Sequence, residues 1–293
     1  MTATLVPTPD GTLLSMRKTG KSHGPAVVLC DGIGCDGYIW RYLRPALERR
    51  CTVIHFQYRG HGHSEVPQDQ ASLTIEQSAR DLWTIVAAAG VDPQAKVTLI
   101  GHSMGVQVLL EAAHQQPGRI HALVPICGAF ERPLDTFQGS DVGARMLPVL
   151  TGTALKYQAG LRRLWQRAMP AELTYQLAVA TEINAKMIRR EDFLPYLRHM
   201  ARMDPLVFLA FLQSVAHHSA RPYLPGLTMP ALVISGQRDH FTPDKLQREL
   251  AQLLPDAELC DIPGGSHTAP LELPDLFELR IEDWSRRRGL GLL

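Results

Sequence analysis

The sequence has no long uninterrupted apolar segment, no excess of either charge and no closely spaced pair of cysteines. No window offers the roughly 18 consecutive apolar residues that cross a bilayer, so we predict no transmembrane helix. The 30 basic and 29 acidic residues leave a net charge of +1. Nucleic acids and anionic membranes bind basic surfaces, so this balance gives no reason to expect either as a partner.

The cysteines give no sign of a disulfide framework. There are five, an odd number, and several lie within apolar runs, where cysteine acts as a small hydrophobic residue. Residues 1–10 also lack the basic and apolar regions of a signal peptide. Reduced thiols and no signal sequence predict a soluble, cytoplasmic protein.

The order of the apolar segments predicts the fold class. The 293 residues are 45% hydrophobic, enough for one large core with a smaller subdomain. Short β-rich runs alternate with helical patterns, which predicts an α/β protein with an eight-stranded, mostly parallel sheet flanked by helices. Two strands are expected within residues 2–18, and the others at 26–30, 51–56, 96–100, 121–127, 230–235 and 258–261.

A long helical stretch interrupts this alternation. Residues 131–226 contain helical patterns and no strand pattern, which predicts an inserted helical domain. Residues 1–130 and 227–293 would then form the core domain. The helices of the core are expected at 38–49, 74–89, 104–116, 243–254 and 273–287.

The motif with the clearest chemistry is Gly-His-Ser-Met-Gly at residues 101–105, where a predicted strand ends and a predicted helix begins. A nucleophile at such a junction needs a sharp turn, and the flanking glycines remove side chains that would collide there. The start of the helix also directs N–H groups toward a developing oxyanion. We therefore predict that Ser103 is a nucleophile.

A serine hydroxyl needs a base to accept its proton, and the base needs an acid to orient it. His267 is the predicted base among 12 histidines, because it lies in a glycine-containing loop between the last strand and the last helix. Asp239 directly follows the preceding strand and is the predicted acid. The order serine, acid, histidine fits this placement. Glu131, just beyond the sixth strand, is the alternative acid.

With these motifs the chain resembles serine hydrolases of the α/β-hydrolase fold over nearly its whole length. Asp-Gly-Ile-Gly at residues 31–34 is similar to the family's His-Gly-x-Gly loop, and residues 59–64 are similar to its Arg-Gly-x-Gly-x-Ser loop. The resemblance implies an oxyanion hole made by the backbone N–H groups of Ile33 and Met104. It also implies that residues 131–226 form a helical cap over the active site.

The largest departure from the family pattern is Asp31, which stands where a histidine is usual. A carboxylate beside an oxyanion hole opposes the negative charge that develops there, unless it is turned aside. We expect Asp31 to brace its own loop through bonds from its side chain to the backbone. An acid that acts near the reacting carbonyl is the alternative. Val106 and Gln57 also replace residues usual in the family, glycine and aspartate.

Two further groups of residues have less specific patterns. His61 and His63 have a spacing seen in metal sites, but no cluster of carboxylates or cysteines accompanies them, so we predict neither a metal nor a cofactor. Basic residues in 156–167 alternate with leucine and tryptophan. This pattern fits a solvated helix face, with a helix at a membrane surface as the alternative.

The sequence thus predicts a hydrolase that transfers the acyl group of an apolar or acyl-chain carboxylic ester to water. Leucine, methionine and phenylalanine dominate the insertion, which indicates an apolar pocket or a self-contained helical core. The same site could serve a thioesterase, a carbon–carbon bond hydrolase, an amidase, a perhydrolase or an acyltransferase. A ligand-binding protein without catalysis is the alternative from another class. The expected partner is a small molecule, and the oligomeric state is left open.

Overall fold

The computed structural model describes residues 3–135, 142–181, 183–184 and 186–293. The start of the predicted amino-terminal strand segment and parts of the predicted insertion lie outside the described residues. One sheet contains eight strands, in the order β1-β2-β4-β3-β5-β6-β7-β8. The strands are β1 (Thr4–Pro7), β2 (Leu13–Gly20), β3 (Ala26–Cys30), β4 (Thr52–Phe56), β5 (Val97–His102), β6 (Ile120–Ile126), β7 (Ala231–Gly236) and β8 (Ala257–Ile262).

The sheet is mostly parallel, as the sequence predicts. The strand β2 pairs antiparallel with β1 and β4, whereas the other neighbouring strands pair parallel. Successive side chains point to opposite faces of a strand. Accordingly, Val28 of β3 belongs to one hydrophobic cluster, while Val27 and Leu29 belong to the other. The core is therefore divided into two layers, one on each face of the sheet.

Helices cover both faces of the sheet. The helix α2 (Ile75–Ala88) begins where it does because the Thr74 side chain accepts a hydrogen bond from the Gln77 N–H at 3.1 Å. The helices outside the insertion are α1 (Leu43–Glu48), α2 (Ile75–Ala88), α3 (Met104–Gln115), α9 (Asp244–Leu253), α10 (Ala269–Glu272) and α11 (Pro274–Arg288). The helices between β6 and β7 are α4 (Val142–Lys156), α5 (Gln158–Ala168), α6 (Glu172–Thr181), α7 (Arg190–Arg202) and α8 (Pro205–His217).

The prediction of one continuous helix over residues 38–49 is wrong. A 3₁₀ turn at Tyr38–Trp40 precedes the short helix α1, which begins at Leu43. Pro45 explains the break, since proline has no N–H to bond the carbonyl four residues earlier. The turn places Tyr38 and Trp40 beside the loop that follows β3.

The two ends of the helical segment lie side by side. Ala220 donates its N–H to the Phe130 carbonyl at 2.9 Å, and Glu131 forms an antiparallel bridge with Ser219. The segment that leaves the sheet after β6 therefore lies beside the segment that returns toward β7. Across the described part of the chain, the helices are too short or too polar to span a bilayer.

Candidate active site

Ser103 occupies a strained turn between β5 and α3. Its φ angle is 56°, a value that residues other than glycine rarely adopt. The turn also brings backbone segments very close together. A Cβ atom on Gly105 would lie 2.1 Å from the Cys30 carbonyl oxygen, and one on Gly101 would lie 2.4 Å from the Gly105 oxygen. Only glycine fits at both positions, and the turn raises the Ser103 hydroxyl above the end of the sheet.

The structure brings the three predicted side chains together in a hydrogen-bonded chain. The Nε2 atom of His267 lies 3.0 Å from Oγ of Ser103. On the other side of the imidazole ring, Nδ1 lies 3.0 Å from Oδ2 of Asp239. All three residues are buried, with at most 8% of their surface exposed. The arrangement can move a proton from the serine hydroxyl to the imidazole.

The carboxylate of Asp239 is held by the loop that follows β7. It accepts hydrogen bonds from the N–H groups of Phe241 and Thr242, at 2.9 and 2.8 Å, and from the Thr242 hydroxyl at 2.8 Å. Burial alone would raise the pKa of Asp239, but His267 and these hydrogen bonds outweigh it and hold the pKa below its ordinary value. The group is therefore ionised and fixed at neutral pH.

The predicted oxyanion hole involves the residue after Ser103 and the loop after β3. Met104 begins α3, and Ile33 lines the pocket at Ser103. Hydrogen bonds from the backbone N–H of Ile33 or Met104 to other groups are not found within the described residues. Both N–H groups therefore remain candidates for binding an oxyanion.

The expectation that the Asp31 side chain braces its own backbone is wrong. Its Oδ1 accepts the indole N–H of Trp40 at 2.5 Å, and its Oδ2 lies 2.9 Å from Nε2 of His55 on β4. Asp31 is fully buried. The carboxylate is therefore directed into a cluster of side chains and fixes the start of the loop that carries Ile33.

His61 fixes the other end of this loop. The Gly34 N–H donates to Nε2 of His61 at 3.0 Å, while Nδ1 lies 3.1 Å from the Arg59 carbonyl oxygen. These contacts define a neutral ring with its proton on Nδ1. Burial lowers the pKa of His61 to about 4, although the Arg59 carbonyl opposes the shift. His61 is thus a hydrogen-bond acceptor for the loop.

Arg59 in turn is clamped by a buried ion pair. Its Nε and Nη2 atoms bind both carboxylate oxygens of Asp81 on α2, at 2.7 and 2.8 Å. A third nitrogen contacts Asp10 in the turn between β1 and β2. A two-point arginine–carboxylate contact fixes direction as well as distance. The loop at residues 59–64 is therefore a rigid support for the loop at residues 31–34.

The pocket at Ser103 is small and has an aromatic wall. It leaves about 30 Å³ for the centres of water-sized molecules and is lined by Gly32, Ile33, Cys35, Tyr38, His102, Ser103, Phe193, Tyr196, Phe241, His267 and Thr268. Phe193 and Tyr196 come from α7, and their rings contact each other and Tyr38. Among the described residues that line it, none is lysine, arginine, aspartate or glutamate. The described wall therefore favours an uncharged group.

The alternative sites named from the sequence lie elsewhere. Glu131 binds Ser219 and Arg221, whereas Asp239 is the carboxylate that contacts His267. In the part of the chain that the structure describes, three or more possible metal ligands do not come together. The basic residues of α5 include Arg162, which pairs with Asp204 before α8.

Several residues that support the site gave no local signal in the sequence. His55 and Trp40 reach Asp31 from separate elements, and Glu272 binds both neighbours of His267. The partners of Asp31 stand 9 and 24 positions away in the chain. One signal in the sequence could have indicated this cluster. Asp31 directly follows β3, and His55 lies on β4, the strand beside it.

The chain is similar to known hydrolases and to part of a larger enzyme. It is 30% identical over 95% of its length to polyketide synthase ThaQ of Burkholderia thailandensis, and the match covers 12% of that synthase. It is 26% identical over 88% of its length to RutD of Klebsiella pneumoniae, which is named as a candidate carbamate hydrolase, and covers 90% of that protein.

Solved structures show the same fold. The enol-lactonase from Burkholderia xenovorans aligns over 96% of this chain and 98% of its own, with a TM-score of 0.77 and 24% identity. A thermophilic esterase from Thermogutta terrifontis aligns over 98% of this chain and 99% of its own, with a TM-score of 0.75 and 22% identity. A family model for the alpha/beta hydrolase fold matches residues 25–274. The chain therefore belongs to the α/β-hydrolase fold family.

Proposed function

We propose that this protein is a serine hydrolase that cleaves a neutral carboxylic ester, with Ser103 as nucleophile, His267 as base and Asp239 as the orienting acid. The observation that carries the proposal is the hydrogen-bonded chain from Ser103 through His267 to Asp239, with both contacts at 3.0 Å. Membership of a hydrolase-fold family supports it.

In the proposed reaction, Oγ of Ser103 attacks the ester carbonyl carbon while Nε2 of His267 takes the hydroxyl proton. The N–H groups of Ile33 and Met104 receive the oxyanion. His267 then gives the proton to the departing alkoxide, which leaves an acyl group on Ser103. A water molecule, deprotonated by the same imidazole, releases the carboxylic acid and restores the serine hydroxyl.

The pocket indicates the kind of ester. Its wall of uncharged side chains favours a neutral, apolar group, as the sequence predicts. The space beside Ser103 is narrow, about 30 Å³ for the centres of water-sized molecules, so we expect a long acyl chain to require movement of Phe193 and Tyr196. We propose a compact apolar ester as substrate. Residues 131–226 would act as a cap, because α7 supplies these two rings above Ser103.

A carbamate is a second candidate substrate. The similarity to RutD, which is named as a candidate carbamate hydrolase, favours it. The same nucleophile and base would attack a carbamate carbonyl. The described lining residues do not favour one of these groups over the other.

The proposal is tested by initial rates on p-nitrophenyl acetate and on a matching p-nitrophenyl carbamate. Ser103→Ala should lose both activities and keep the fold, as judged by circular dichroism and Tm. Ser78→Ala, which removes another buried hydroxyl on α2, is the matched control and should keep wild-type rates. Equal rates for wild type and Ser103→Ala on both compounds would refute the proposed function.

A further inference from the structure

Glu272 is a buried carboxylate that the proposed reaction does not use. It is the last residue of α10, five positions after His267, and only 6% of its surface is exposed. Its partners among the described residues are uncharged donors, and no arginine, lysine or histidine pairs with it there. A buried carboxylate needs hydrogen-bond donors to offset the loss of water. The residues that supply those donors therefore indicate what Glu272 holds in place.

Three of its hydrogen bonds come from the two residues that flank His267. The Ser266 N–H donates to Oε2 at 2.8 Å, and the Thr268 hydroxyl donates to Oε1 at 2.9 Å. The Ser266 hydroxyl also donates to Oε1. The carboxylate therefore clamps the chain immediately before and immediately after the candidate base.

The loop needs such a clamp because its own sequence makes it flexible. Two glycines precede Ser266, and Gly264 has a φ angle of 73°. Glycine restricts the backbone less than any other residue. The carbonyl of His267 is held from the opposite side, where Nε2 of His102 lies 2.8 Å away. Glu272 and His102 together fix the backbone of His267. The imidazole of this residue contacts Ser103 and Asp239, each at 3.0 Å.

The fourth bond of Glu272 goes to the helical segment between β6 and β7. The Asn184 N–H, between α6 and α7, donates to Oε1 at 3.0 Å. The Asn184 side chain also donates to the Gly264 carbonyl at 3.3 Å. One carboxylate thus connects the loop that carries His267 with the segment that leads into α7 and its pocket-lining rings.

From this geometry we propose that Glu272 is a positioning residue for His267, and that it ties the base loop to the proposed cap. This inference rests on the proposed function of His267. Proton transfer requires the imidazole at hydrogen-bond distance from Ser103, and a misplacement of about 1 Å can cost roughly 100-fold in rate. Removal of the clamp should therefore slow the reaction of Ser103 more than it weakens binding of a neutral ester.

The test is a graded series at Glu272. Glu272→Gln keeps one oxygen but turns an NH₂ group toward a donor, and Glu272→Ala removes all four bonds. We expect kcat on p-nitrophenyl acetate to fall roughly 10-fold and roughly 100-fold, respectively, with KM changed less than about threefold. The rate of fluorophosphonate labelling at Ser103 should fall in parallel. Glu282→Gln, at an exposed position on α11, is the matched control for charge.

The outcomes separate this inference from the proposed function. If wild type is not labelled at Ser103, the proposed function fails. If wild type is labelled, and folded Glu272→Gln reacts as fast, the positioning role alone is refuted. If the Glu272 variants do not fold, Thr268→Val is measured instead, because it removes a single hydrogen bond to the carboxylate. It should slow labelling by roughly threefold, and an unchanged rate would overturn the inference.

Discussion

The side chain of His102 holds the backbone of His267. Its Nε2–H group donates to the His267 carbonyl oxygen at 2.8 Å, so the residue directly before Ser103 fixes the position of the candidate base. Burial lowers the pKa of His102 to about 3, and the neighbouring His267 adds to this shift. His102 is therefore neutral at physiological pH and acts as a donor, not as a second base.

Loss of this bond should impair catalysis without affecting the nucleophile itself. We expect His102→Leu to lower kcat on p-nitrophenyl acetate roughly 10-fold, because the His267 backbone loses one of its anchors. His102→Gln retains an N–H donor of similar reach and should recover part of the rate. Steady-state kinetics of the two variants checks this expectation. Equal kcat values for His102→Leu and wild type would contradict it.

Asp239→Asn should reduce turnover strongly while the fold is kept. An amide does not stabilise the imidazolium, and its NH₂ group favours the wrong tautomer of His267. Such a change in comparable triads lowers kcat by about 10⁴-fold. The measurement is kcat at pH 7 on p-nitrophenyl acetate, with Asp275→Asn, at an exposed position on α11, as control. A loss of less than about 10-fold would rule out Asp239 as the acid and favour Glu131, the alternative acid.

Acid should destabilise the folded protein through its buried neutral histidines. The pKa values of His61 and His102 fall to about 4 and about 3, whereas an unfolded histidine titrates near 6.5. The unfolded chain therefore binds more protons below pH 6.5. Stability is fully present above that pH and is lost as the pH falls toward the folded values. Each histidine contributes about 1.4 kcal/mol per pH unit in this window.

Urea unfolding between pH 7 and pH 5 measures this effect. The free energy of unfolding of wild type should fall with acid, and the fall should be shallower in His61→Gln, whose amide oxygen can still accept the Gly34 N–H. His217→Gln, at an exposed position, should behave as wild type. Identical pH slopes for wild type and His61→Gln would show that His61 titrates normally in the fold.

The aromatic wall should set the preference for acyl length. Wild type should favour acetyl and propionyl over octanoyl p-nitrophenyl esters, since the rings of Phe193 and Tyr196 narrow the pocket. Tyr196→Ala should raise the octanoyl-to-acetyl ratio of kcat/KM by roughly 10-fold, because one ring no longer blocks the pocket. Tyr157→Ala, on an exposed part of the helical segment, should leave the ratio unchanged. A wild-type preference for octanoyl would contradict the compact-substrate proposal.

The sequence predicts those features that depend on local patterns. The strand–turn–helix context of Ser103, the eight strands and the candidate positions of His267 and Asp239 all follow from short-range order. The strand ends agree with the structure to within a few residues. The start of the helix predicted at 74–89 also agrees, because the Thr74 cap and its helix are neighbours in the chain.

Features that depend on contacts between distant elements could not be predicted in the same way. Asp31 binds side chains from a 3₁₀ turn and from β4, and Glu272 reaches Asn184, which is 88 positions away. The volume of the pocket is also set by how α7 packs on the sheet. None of these contacts has a periodic pattern or a motif in the sequence.

Mass spectrometry of the protein after reaction with a fluorophosphonate measures most directly whether Ser103 is an activated nucleophile. We expect one phosphonyl adduct, located at Ser103, and its loss in Ser103→Ala. Labelling should be slower in Asp239→Asn. Absence of an adduct on folded wild type, or an adduct at another residue that persists in Ser103→Ala, would show that Ser103 is not the activated nucleophile.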